Sequence, residues 1–108
     1  MLTDLASEAL ASAASECGGI AVAADVTVAA ETEHLVRAAV DVHGRIDALV
    51  HCAGIEEEFV AAHEMPLDVF ERTMRVNVTG TFLVARAVGT QMVAQQGGAI
   101  VLLGSILS

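Results

Sequence analysis

Asp47-Ala48-Leu49-Val50-His51-Cys52-Ala53-Gly54-Ile55 is the stretch whose reading decides the fold. Asp47 to Cys52 is a near-continuous apolar run, the pattern of a parallel strand covered on both faces. Ala53-Gly54 then removes side chains just past the strand's carboxyl end. In an open α/β sheet that is the edge where ligands sit. About one helix later comes Asn77-Val78-Thr79-Gly80-Thr81-Phe82. Asn is a middling helix former and Gly a poor one, so both inside one helical pattern need a reason. A helix break with Asn77 as cap is one such reason, and a functional deformation is another.

Outward from these segments, helical and strand-like patterns alternate, which predicts an α/β fold with parallel strands. Met1 to Asp4 reads as the tail of a strand, followed by a helix over about Leu5 to Glu16 capped by Thr3 or Asp4. Gly18-Gly19 stops that helix, and Ile20 to Asp25 is a short strand. Thr27 is expected to cap a helix over Val28 to Val42, with Leu35, Val36, Ala39 and Val40 on one stripe and Gly44 at its end. The strand Ile46–Cys52 follows, then a loop from Glu56 to Pro66. Pro66 opens a helix with Leu67, Phe70 and Met74 at helical spacing. A long helix over Val76 to Gln95 stops at Gly97-Gly98. Ala99 to Leu103 is the last strand, and Ser105 follows it.

The composition narrows the partners. The chain has 108 residues and a formal net charge of −9, which excludes nucleic acid and disfavours an anionic membrane surface. No apolar run approaches the roughly 18–20 residues that span a bilayer. Cys17 and Cys52 have no metal-ligand spacing, and two isolated thiols fit a reducing cytoplasm. His51 and Cys52 make a poor metal pair, because neighbours on a strand point to opposite faces. With no Trp, no Tyr and three Phe, the core must be built from small aliphatic side chains.

Cys52-Ala53-Gly54 and Asn77-Val78-Thr79-Gly80 together resemble the Asn-Ala-Gly turn and the Asn-x-x-Gly motif of the short-chain dehydrogenase/reductase family. The resemblance implies a partial Rossmann-type doubly wound parallel sheet, strands two to five of that fold, with residues 1–108 as one incomplete NAD(P)-binding domain. It implies hydride transfer between a nicotinamide and a secondary alcohol or ketone, a small-molecule substrate. It also implies a homo-oligomer formed through the Val76–Gln95 helix.

The resemblance gives roles to particular residues. Asp4 would accept hydrogen bonds from the adenosine ribose and so favour NAD over NADP; its plain alternative is a helix cap. Asp25 would meet the adenine amino group and Val26 would pack on the ring, although an Asx or Thr cap suits the same place. Cys52, Ala53 and Gly54 would let the cofactor approach closely. Cys52 departs from the family's Asn, being a weak donor, and His51 beside it is placed to compensate. Asn77 would hold a relay water on its backbone carbonyl. Ser105 would hydrogen-bond the substrate oxygen, with Ser108 a weaker candidate by spacing. Glu56-Glu57-Glu58 and His63-Glu64 read as a solvated face.

Two of the family's elements have no counterpart in the sequence. There is no Gly-x-x-x-Gly-x-Gly phosphate turn. There is no Tyr-x-x-x-Lys either, since Tyr is absent and all five basic residues are Arg. The chain is therefore expected to behave as a middle section, inactive by itself, with two strand pairs facing a gap. Partial unfolding or self-association would follow. Two readings stand beside this one: a non-catalytic interaction module that pairs with a full-length relative, and a flavodoxin-like binding domain.

Overall fold

The computed structural model describes residues 1–57 and 59–105. Its helices begin and end where local chemistry dictates. Ser7 caps α1 (Glu8–Cys17), its hydroxyl accepting from the Leu10 amide at 3.1 Å. Neither Thr3 nor Asp4 serves there: Asp4 Oδ1 takes the Leu5 amide at 2.7 Å, upstream of the helix. α2 (Ala29–His43) follows Val28, which offers no side-chain cap. Thr27 instead turns back to Asp25. Gly18 and Gly44 end the two helices at φ 69° and 80°, left-handed values that a side chain disfavours.

The strands are short and parallel. β1 (Leu2–Asp4) pairs with β2 (Ala21–Ala23), Leu2 lying opposite Ala21. β3 (Ala48–His51) pairs with β4 (Ala99–Leu102), Ala48 opposite Ala99 and His51 opposite Leu102. Among the described residues no ladder joins the two pairs, as expected for the gap.

Two expectations need correction. The sequence predicts a helix from Pro66 and a separate one from Val76. The chain is instead helical without a break: α3 (Leu67–Met74), a π-helical turn (Arg75–Gly80) and α4 (Thr81–Ala94). Residues on both sides of the π turn keep right-handed helical angles, so Asn77 and Gly80 widen the helix rather than end it. Secondly, β3 is covered on one face, not two. His51 is buried and Leu49 half-buried, whereas Val50 is 61% exposed. α2 and α4 pack together on the covered side, where Val84, Val88 and Met92 form the core with Val26, Val36, Ile46 and Leu49 against them. Every residue of β4 is exposed.

Candidate functional site

The π turn is where the ends of two strands meet. Beyond β2, Val26 reaches it: a Cβ on Gly80 would lie 2.9 Å from Val26 Cγ2, so only glycine lets the two approach this closely. Beyond β3, Ile55 reaches it. The Asn77 amide donates from Nδ2 to the Ile55 carbonyl and accepts the Ile55 amide on Oδ1, each at 2.8 Å. That reciprocal pair reproduces one rung of a strand ladder with a side chain. A Cβ on Gly54 would come within 3.2 Å of Asn77 Oδ1, so the small turn residue makes room for the clamp. Cys52, Ala53 and Gly54 themselves are exposed, leaving open backbone at the carboxyl end of β3.

Asn77 is held from behind as well. Its carbonyl accepts the Thr81 hydroxyl at 2.7 Å, and the same hydroxyl lies 3.1 Å from His51 Nε2. The Thr81 amide turns to the Val78 carbonyl. Burial pushes the His51 imidazole below its ordinary pKa, which favours the neutral ring.

The two aspartates stand at the end of β1 and just past β2. Asp4 ends β1 and is exposed. Asp25 Oδ1 accepts from the Thr27 hydroxyl at 2.7 Å and the Thr27 amide at 2.9 Å, an Asx turn. These bonds lower its pKa, helped by the positive charge of Arg75 in the π turn, so it is ionised at neutral pH. Val26 is half-buried against α4. Ser105 lies just past β4 and is exposed. Glu58 and Ser108 fall outside the described residues. The described residues hold no group of three or more His, Cys, Asp or Glu placed for a metal ion, and none of their helices is long and apolar enough to cross a membrane.

The sequence profile of the short chain dehydrogenase family matches residues 1–108. The chain belongs to this family. It is similar to L-rhamnose 1-dehydrogenase (NAD(P)(+)) of Sphingomonas sp. (strain SKA58), 42% identical over 88 residues that cover 81% of this chain and 34% of that protein. It is 40% identical to the D-threitol dehydrogenase of Mycolicibacterium smegmatis over 77% of this chain and 32% of that protein. The crystal structure of NAD+-bound xylitol dehydrogenase superposes with a TM-score of 0.90 at 36% identity, over 97% of this chain and 42% of that one. The chain thus spans about a third of the length of these curated relatives. The α/β fold with parallel strands matches closely the corresponding part of Rossmann-type short chain dehydrogenases.

Sequence reasoning missed two partners of Asn77 in this short chain dehydrogenase fold and misplaced a third residue. Ile55 contributes backbone, which leaves no mark in its side chain. Thr81 was unremarkable beside Gly80, although its place one turn after Asn77 is what lets its hydroxyl reach that carbonyl. His51 was singled out, but as a substitute for Cys52 within the sheet, whereas it reaches across to α4.

Proposed function

We propose that this chain forms the adenosine-side and catalytic-side wall of an NAD-preferring dehydrogenase site. The reaction would be hydride transfer between a nicotinamide and a secondary alcohol or ketone of small size. The observation that carries this reading is the Asn77–Ile55 clamp, which ties the open Ala53-Gly54 turn to the π turn. The residues suit a dinucleotide in type: carboxylates stand at the end of β1 and just past β2, and the small residues Ala53 and Gly54 lie exposed past β3. When bound, the nicotinamide supplies the redox chemistry.

The chain's own residues position and polarise. Asp4 accepts the ribose hydroxyls and repels a 2′-phosphate. Asp25 uses Oδ1 for its own turn, so its second oxygen is the one to face an adenine amino group. Ser105 donates to the substrate oxygen, and the Asn77 carbonyl holds a water for proton release. Dimerisation would use the helical run through α4, along which Val78, Phe82 and Val93 stand exposed.

The chain alone should show no alcohol-dependent NAD reduction, because the sequence holds no Tyr or Lys to act as base. Without a phosphate turn its affinity for NAD should be weak, with a Kd on the order of 1 mM. The test is a titration with NAD and with NADP, followed by backbone amide signals. Shifts at Asp4 and Asp25 with NAD, weaker ones with NADP, and parity in Asp4→Ala are expected. A wild-type chain that prefers NADP would overturn the assignment of Asp4.

A further inference from the structure

The carboxyl end of β3 holds a buried group that the reading above leaves without a role. His51 is 7% exposed, one of two buried polar residues among those described. Its Nε2 lies 3.1 Å from Thr81 Oγ1, and that hydroxyl lies 2.7 Å from the Asn77 carbonyl oxygen. A threonine hydroxyl has one proton to give, whereas a carbonyl oxygen can only accept. The Thr81 proton is therefore committed to Asn77. His51 must then bring a proton of its own to Thr81, which requires the N–H on Nε2. The backbone supports the same assignment: the Thr81 amide serves Val78, so the hydroxyl is the link from Thr81 to Asn77.

We propose that His51 is a positioning residue, locked as the Nε2–H tautomer, whose hydrogen bond aims the Thr81 hydroxyl at the Asn77 carbonyl and fixes that carbonyl's direction in the π turn. The chain of bonds joins β3 to α4 across thirty residues of sequence. A carbonyl oxygen has two lone pairs, and the Thr81 hydroxyl occupies one of those on Asn77. The functional consequence rests on the reading of Asn77 above, since the direction of that carbonyl decides where a relay water would sit. Burial favours the neutral ring, so a single ring N–H is present at neutral pH and its position matters.

The experiment is nitrogen-detected spectroscopy of the ¹⁵N-histidine-labelled chain at about pH 7.5, in solution or, for associated protein, in the sedimented solid. His51 should show a protonated Nε2 and a bare Nδ1, while exposed His34, His43 and His63 average between tautomers. Thr81→Val should release His51 into a tautomer mixture and move the Asn77 carbonyl ¹³C signal upfield. Thr81→Ser should preserve both signatures. His51→Gln, which carries an N–H at similar reach, should keep the Asn77 signal in place, and His51→Leu should not. A wild-type His51 protonated on Nδ1, or averaging like the exposed histidines, overturns the proposal. So does an Asn77 carbonyl signal indifferent to Thr81→Val. Should Thr81→Val fail to fold, the wild-type spectrum and Thr81→Ser decide. None of these signals needs a cofactor, whereas the dehydrogenase reading stands or falls on the nucleotide titration, so the two failures are distinguishable.

Discussion

Just before β3 the Gln95 side chain grips Ile46, and just beyond it the Asn77 side chain grips Ile55. In each case one carboxamide donates to a backbone carbonyl and accepts a backbone amide. The settings differ. Gln95 sits at the C-terminal end of α4, where the helix loses nothing by bending its side chain away. It also donates to the Gly97 carbonyl and accepts from Gln91, so it knots the end of α4 to the starts of β3 and β4. Asn77 sits inside the helical run, in a π turn, facing Gly54 and the open turn after β3. The same chemical device therefore holds the frame at one end of the strand and, at the other, shapes the turn where we propose the nucleotide site. The irregular helix stands at the end of the proposed site, and π turns are frequent at functional sites.

Gln95→Ala should cause the largest loss of stability. It leaves the Ile46 amide, the Ile46 carbonyl and the Gly97 carbonyl without their partner, at roughly 0.5–1.5 kcal/mol each. A drop of about 2–4 kcal/mol in urea denaturation is expected. An unchanged midpoint would mean that water replaces Gln95 freely. Asn77→Ala should cost less, about 1–3 kcal/mol for two bonds. It should also speed hydrogen exchange at the Ile55 amide by about tenfold or more, while the Ile46 amide stays protected. Equal effects of the two variants at both amides would erase the distinction between frame and site.

Gly80→Ala should follow, at about 1–2 kcal/mol, because the new Cβ meets Val26 Cγ2 at 2.9 Å. Its signature is a shift of Val26 methyl signals. Gly89 on the same helix, where a Cβ would meet nothing within 4 Å, is the control.

The smallest effect is that of pH. His51 has a lowered pKa in the folded state, so the unfolded chain binds more protons as pH falls below the ordinary value of 6.5. Its contribution to stability is complete above that value and is lost as pH drops toward the folded pKa. Denaturation midpoints measured at about pH 7.5 and 5.5 should therefore differ, and the difference should shrink in His51→Gln. Asp25 acts in a lower window, below 3.8, and should not interfere.

How much of this was legible follows from the range of each interaction. The succession of strands and helices and the glycine stops rest on local pattern and chain stiffness, and they could be read directly; the pairing of strands into two pairs came from the family resemblance. So could the Ala53-Gly54 turn and the Asn77-Gly80 pair, because small or helix-averse residues in those places need a reason. The π turn could not be read: an Asn and a Gly in a helix look the same whether the helix breaks or widens, and the turn's contacts with Ile55 and Val26 are distant in sequence. Nor could the one-sided burial of β3. An apolar run declares that a strand can be covered on both faces, not that these 108 residues supply both covers. The caps slipped by a few residues because Ser7, Asp4, Thr27 and Asp25 all have oxygens that can serve, and geometry selects among them.

The most direct test of the central claim, that Asn77 shapes a nucleotide site while Gln95 holds the frame, is one titration run on two variants. NAD is added to ¹⁵N-labelled Asn77→Ala and Gln95→Ala under conditions where both are folded, and the amides of Asp25 and Cys52 to Ile55 are followed. Gln95→Ala should keep the NAD-induced shifts of the unaltered chain, and Asn77→Ala should lose them. Shifts that survive in Asn77→Ala, or that vanish equally in both variants, would contradict the account.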